Sequence, residues 1–475
     1  MEEKLTRRYG LFAAICLVVG TVIGSGIFFR NDAVFAAVGG NMGMGIAAWG
    51  IGGLIALSFA YAFGTLSAKY EDATGLSYFA EKLVGKKFSY IMGWYMATMF
   101  FPPLVAILAW VSGRFTTTLL GFDVNPAFSA ETYVFALFYL VVIFGINELS
   151  PWLSEKFHIT CTFIKVIPLI AMAIIGTIVG LVNGTTVANI SDVTYAFEAG
   201  NPFFAALIAT AFAYLGWEVA MSLNKEIKDV KKNLPRALVL GMLIVIVIYI
   251  AYFVGLFSAA PVETLTSGTG VLAAFSNIFG SAAGTILFVF IIISCLGTLN
   301  GLVIGSGRMF YALSTNHTGP RQEVFSQLDR ATKMPANSMA ISLILIGFWM
   351  LVHASNNMGF WQWLGNTAVW QWLGNTAFWQ WLGLADLTYF GFDLPGLMPI
   401  SFKVFMIPIF IFMMIKEKEL NIFKRFISPG FSILAALFLI YAIWYNQRAG
   451  VWIFVIVFGI ITAIGLLLEK SKSKF

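Results

Sequence analysis

The stretch "CLVVGTVIGSGIFF", residues 16–29, is apolar throughout, yet Gly20, Gly24, Ser25 and Gly26 crowd its middle. Each glycine inside a helix is roughly 1 kcal/mol less favourable than alanine, so the cluster needs a reason. A phosphate-cradling G-x-G-x-x-G is a poor fit, because Phe29 stands where the third glycine belongs and the flanks are apolar. Close helix packing through Gly20 and Gly24, a small-xxx-small pair, is one remaining reading. A break at mid-depth in a membrane-spanning helix is the other. Unwound backbone at that depth is tolerated where it is buried in protein or lines a cavity. The half-helix that follows would then present bare N–H groups and a positive dipole end, which suits a carboxylate.

Composition sets the surroundings of that stretch. The chain has 475 residues, 59% hydrophobic and 11% charged, with a mean hydropathy of +0.85. A soluble domain carries about 25% charged residues. Apolar runs of roughly 18 residues or more, each able to cross about 30 Å of hydrocarbon, recur along the chain. The expectation is an all-α polytopic membrane protein with about twelve spans, near 11–37, 43–68, 88–120, 131–147, 157–182, 201–222, 236–259, 284–311, 336–352, 395–415, 427–445 and 450–468. The first run lacks a small-residue cleavage site and reads as a retained span.

Counted by loop, 24 of the 29 Lys and Arg residues fall in alternate segments beginning with the N-terminus. The positive-inside rule then places both termini in the cytoplasm of a cell-membrane protein. The net charge of +6 is thereby a topology signal rather than a mark of a nucleic-acid partner. Cys16, Cys161 and Cys295 lie far apart in apolar runs and read as small buried hydrophobes. His158, His317 and His353 are scattered, and no Ser–His, H-E-x-x-H or paired intramembrane carboxylate arrangement appears. Nothing calls for an enzyme, a cofactor or a metal.

The sixth span, "ATAFAYLGWEVAMSL", carries Gly216 near its middle. Glycine-interrupted spans in corresponding positions of two halves are a sequence pointer to a transporter site built on an inverted repeat. Carbonyls freed near Phe212, Ala213 and Leu215 would accept bonds from an ammonium. One break offering N–H groups and another offering C=O groups fits a zwitterion such as an α-amino acid. Glu218 is the acidic residue of that span; facing a cavity and packing in the cytoplasmic half are both open to it.

With these motifs in hand, "VVGTVIGSGIF", "FAYLGWEVAMSLNKEIKDVKKNLPRAL" and "SCLGTLNGLVIGSGRMFYALS" together resemble the L-amino acid transporters of the amino acid–polyamine–organocation superfamily, over roughly residues 10–340. The resemblance implies a LeuT-like fold of two inverted five-helix repeats, about 11–182 and 201–415, with two further helices at about 427–468. It implies sodium-independent amino acid transport by alternating access. By the same likeness Ile23, Gly24, Ser25, Gly26 and Ile27 match the carboxylate-binding break. Phe212 matches an aromatic gate, and Ala213 to Gly216, with Leu215 and Gly216 among them, match the amine-binding break. "KYEDATGLSYFAEKLVG" is similar to a cytoplasmic re-entrant stretch, with Thr74 in place of one of its paired glycines. The chain departs from the pattern elsewhere. Lys225 and Glu226 stand where two acidic residues are usual, which puts a gating ion pair there in doubt. Leu215 replaces a common glycine and would narrow the pocket. The loop between spans three and four has no cysteine, so no disulfide-linked partner subunit is expected.

Lys165 sits inside "CTFIKVIPL", about eight residues or about 12 Å into span five. An intramembrane charge marks function by default, against which stands snorkelling to the interface. Pro168 frees the carbonyl of Ile164 beside it. Through the resemblance, its partners would be the first-span break near Gly24 and Gly26 and Ser294 of span eight, elements that a cation bridges in sodium-coupled members of the fold. Lys165 would supply that charge. The resulting expectation is a sodium-independent exchanger of neutral L-amino acids, with a proton-coupled symporter or a non-transporting sensor as alternatives. The Trp-rich insertion within 361–387, "WQWLGNTAVWQWLGNTAFWQWLGLADL", reads as a local duplication in an external loop. A lid over the substrate or a partner-binding surface is the other possibility for it.

Overall fold

The computed structural model describes residues 7, 9–70, 75–122, 129–191, 202–267, 270–280, 282–316, 319–357, 394–446 and 448–470. Thr74 and the Trp-rich insertion 361–387 lie outside these residues. Among the described residues the regular structure is helical, and one isolated bridge pairs Tyr9 with Ile227 in parallel.

The first span is two helices, α1 (Leu11–Val22) and α2 (Gly26–Ala37). There follow α3 (Met42–Lys69), the short α4 (Leu76–Leu83), α5 (Lys86–Leu119), α6 (Ala130–Leu149) and α7 (Pro151–Val182). The sixth span divides into α8 (Pro202–Ala213) and α9 (Glu218–Ser222). Next come α10 (Val230–Ala259), α11 (Gly270–Phe279), α12 (Ala282–Gly307) and α13 (Ala336–Asn357). α14 (Leu394–Lys416), α15 (Ser428–Asn446) and α16 (Arg448–Lys470) complete the bundle. Among the described residues, ten helices are long and apolar enough to cross a membrane, or up to eleven with α1 and α2 taken as one span. The expected span at 395–415 is α14, which carries Lys403 and is not among those ten, so the count of twelve is not reached on length and composition.

Local chemistry sets the helix ends. The Asn41 side chain accepts from Met44 N at 2.8 Å to start α3, and Ser129 does the same for Thr132 N at α6. Ser150 caps α7 with Pro151 in the first turn, where its missing N–H has no partner to lose. That start is six residues earlier than the sequence pattern suggested. Inside α5, residues Met96–Phe100 form a wide π turn just ahead of Pro102 and Pro103, which remove two ladder donors.

α3 and α10 pack along their length. Gly53 lets Ile246 in, since a Cβ there would lie 2.6 Å from it, and Gly64 lies against Pro235. α1 packs against α7, α10 and α12, whereas α2 packs against α8 and α11. The bend in the first span therefore falls where it passes from the group of α7, α10 and α12 to α8 and α11. Buried apolar side chains fill the space around it.

Candidate functional site

α1 stops at Val22 because Ile23 leaves helical geometry for an extended backbone (φ −71°, ψ 96°). The chain passes through Gly24 and Ser25 into α2, bent by 47° from α1. α8 stops at Ala213, and Gly216 in the next turn holds φ +118°, a conformation open to glycine and strained for other residues. A Cβ on Gly216 would also lie 2.7 Å from the Thr21 carbonyl oxygen. The two breaks touch: a Cβ on Gly26 would sit 2.9 Å from Ala213 Cα.

The carbonyls of Gly20, Val22, Ile23 and Gly24 at the end of α1 are each met by a side chain from another helix. Lys165 Nζ donates to Gly20 O and to Ile23 O, both at 2.6 Å, and to Thr298 Oγ1 at 3.1 Å. Tyr249 Oη lies 3.0 Å from Val22 O and 3.1 Å from Ala213 O, so one hydroxyl joins the two breaks. Ser294 Oγ lies 3.4 Å from Gly24 O. A positive charge at the C-terminal end of α1 meets the negative end of its dipole. The opposite pole, at the start of α2, leaves first-turn N–H groups with no preceding carbonyl to bond. The ammonium of Lys165 and these N–H groups thus lie a few residues apart along one broken span.

Lys165 is fully buried and lies 14 residues after Pro151, about 21 Å along the helix. That is deeper than the 12 Å expected, because α7 begins earlier, and the side chain does not snorkel. Its hydroxyl partner is Thr298, one turn beyond the expected Ser294. Glu218 is buried, and its Oε2 accepts from Gly216 N at 2.7 Å, so it packs against the second break from its own first turn.

A narrow cavity of about 30 Å³ lies between the breaks, room on the scale of water rather than of a whole amino acid. Gly24, Ser25 and Gly26 line one wall; Phe212, Ala213, Leu215 and Gly216 line another. Leu104 and Leu108 of α5 and Leu302 of α12 make the rest apolar. The side chains of Ile23 and Ile27 are fully buried and do not line the cavity.

The Arg30 guanidinium lies 5.0 Å from the centre of the ring of Phe212, which lines the cavity. Elsewhere, Arg308 Nε and Glu226 Oε1 form a buried ion pair at 2.8 Å. Glu226 is therefore paired despite the lysine at 225. Tyr9 N donates to Glu226 O at 3.0 Å and Lys228 N to Tyr9 O at 2.8 Å, which straps the chain's N-terminal segment over that pair. Cys16, Cys161 and Cys295 are buried free thiols.

The sequence matches the amino acid permease family over residues 9–466. It is 30% identical over 352 residues to the serine/threonine exchanger SteT of Bacillus subtilis (strain 168), covering 73% of this chain and 77% of that one. It is 24% identical over 371 residues to the cystine/glutamate transporter of Homo sapiens, covering 76% and 72%. The fold is shared with the crystal structure of MhsT in complex with L-phenylalanine, at a TM-score of 0.60 and 15% identity over 93% of this chain and 100% of that one. A LeuT-type helical bundle with two apposed helix breaks and a match along nearly its whole length place this chain in the amino acid permease family of the amino acid–polyamine–organocation superfamily, as an amino acid transporter and not an enzyme.

Proposed function

We propose that this transporter is a sodium-independent exchanger of neutral L-amino acids, working by alternating access in the cell membrane with both termini cytoplasmic. The observation that carries this reading is Lys165. An ammonium has three donors and no acceptor, and here three acceptors surround it, Gly20 O, Ile23 O and Thr298 Oγ1. It ties α1, α7 and α12 together through one ammonium, so a metal cation has no work left to do between them. The kinship with the serine/threonine exchanger of Bacillus subtilis supports the same reading.

In this proposal the N–H groups of Gly24, Ser25 and Gly26 receive the substrate carboxylate, and carbonyls of the stretch from Phe212 to Leu215 receive its ammonium. Phe212 closes over it. Ser294 steadies the first break through Gly24. The residues lining the cavity carry no ionised side chain, which favours an uncharged substrate side chain. The two repeats run over about 11–182 and 201–415, followed by the helices of 427–468, with no disulfide-linked subunit required.

Counterflow into proteoliposomes tests exchange. Uptake should need amino acid inside the vesicle and ignore sodium. Uptake indifferent to internal amino acid but driven by a pH gradient would make the protein a proton-coupled symporter, with Lys165 as the group that gives up its proton. Binding without flux in either assay would make it a sensor.

A further inference from the structure

Away from the transport site, a groove of about 540 Å³ opens where four membrane-helix ends meet. α3 ends there at Lys69, α10 begins at Val230, α14 ends at Lys416, and the turn Phe423–Ile427 leads into α15. Five cations line it, Lys69, Lys231, Lys232, Arg236 and Lys424, against one lining carboxylate, Glu419. They come from three separate stretches of chain, so the fold, not a run of basic residues, gathers them. Tyr61, Val239 and Leu420 give the groove an apolar back wall.

Two further features bear on what enters. Lys69 is held by Glu417 at 2.6 Å and by Glu419 at 3.2 Å. Glu417 is buried, whereas the Glu419 side chain is 83% exposed and can be displaced. At the groove's mouth, Ile422, Phe423, Phe426 and Ile427 are all exposed, alongside Lys424. Four large apolar side chains around a cation at the end of a membrane helix suit the boundary between headgroups and acyl chains. A soluble anion would use the charges and leave these side chains in water.

We propose that this groove binds the phosphate-bearing headgroup of an acidic membrane lipid. The phosphate lies among Lys231, Lys232, Arg236 and Lys424 and takes Lys69 from Glu419. The first carbons of the acyl chains lie against Val239 and Leu420, continuing over Phe423. On the positive-inside reading the groove faces the cytoplasm, the leaflet where acidic lipids concentrate.

The test uses the full-length protein in neutral detergent. Phosphatidylglycerol, phosphatidylcholine and inorganic phosphate are added separately, with adducts followed by native mass spectrometry and stability by thermal unfolding. Phosphatidylglycerol alone should bind and raise the unfolding temperature. The triple variant K232Q/R236Q/K424Q should weaken it by about fivefold per cation removed. Val239→Trp, which fills the groove and leaves every charge in place, should weaken it as well. K82Q/K86Q/K87Q, which removes the same charge from another basic segment, should bind like the parent. Equal loss in that control overturns the site, as does undiminished binding to a folded Val239→Trp protein. Equal stabilisation by phosphatidylcholine removes the headgroup specificity, and equal stabilisation by inorganic phosphate replaces the lipid by a soluble anion.

Discussion

Lys165 Nζ stands 2.6 Å from the carbonyl oxygen of Ile23, the last residue before the first span unwinds. The ammonium therefore acts as the C-terminal cap of a helix that ends in the middle of a membrane, where no water is at hand to satisfy the freed carbonyls. Lys165→Met should leave Gly20 O and Ile23 O with Thr298 alone. We expect transport to fall by about a hundredfold, in line with about 1–3 kcal/mol for each buried polar group left unsatisfied. Thr298→Val should weaken transport by about tenfold on the same scale. Uptake by purified variants in proteoliposomes, with expression and monodispersity matched, measures both. Parent-like transport by Lys165→Met would remove the lysine from the mechanism.

Gly297 offers a way to disturb the lysine without touching it. A Cβ there would lie 2.6 Å from Cys161 Cβ and 3.2 Å from Lys165 Nζ. Gly297→Ala should push α7 from α12 and lower the unfolding temperature, with overpacking of this kind worth about 1–3 kcal/mol. Gly297→Ala with Cys161→Gly should recover part of the loss. Thermal unfolding of the pair of variants checks the coupling.

Contact between the two breaks rests on Gly26. Because the nearest atom to an added Cβ is backbone, Ala213 Cα at 2.9 Å, the neighbour cannot rotate away. Gly26→Ala should abolish transport while leaving a folded protein, since the rest of α2 is unaffected. Substrate-induced thermal stabilisation should vanish with it. Retained stabilisation would mean that binding does not need the breaks in contact.

The Glu226–Arg308 pair is buried and tied to the N-terminal segment through Tyr9. Removing one partner of a buried pair leaves an uncompensated charge and destabilises by about 3–5 kcal/mol. Glu226→Gln and Arg308→Gln should each lower the unfolding temperature by several degrees, and the double variant should lose less than the two losses combined. An additive double variant would mean that the charges do not interact.

Leu215 lines the cavity where a glycine is common in similar transporters. Leu215→Ala should admit bulkier neutral amino acids, read as a change in the ranking of competitors against labelled substrate. An unchanged ranking would put the size filter at Leu104 and Leu108.

What could be read in advance were the residues that violate a rule. Gly24, Ser25, Gly26 and Gly216 break helix propensity within apolar spans, and Lys165 breaks apolarity, so each stands out in a single sequence. Thr298 and Tyr249 do not. A threonine in a helix is ordinarily content with its own preceding carbonyl, and a tyrosine in an apolar run passes for packing, so neither advertises a partner on another span. The start of α7 is hidden for a local reason: Ser154, Glu155 and Lys156 look like loop, but the cap at Ser150 with Pro151 draws them into the helix.

Tyr249 has a single hydroxyl hydrogen and two carbonyls within reach, Val22 on one break and Ala213 on the other. That hydrogen can serve one of them fully only by neglecting the other. A ligand ammonium that satisfied the Ala213 carbonyl would free the hydroxyl to commit to Val22 and tighten the first break around the carboxylate. Filling one end of the site would in this way strengthen the other, and a molecule with only an amine or only an acid would forgo that gain.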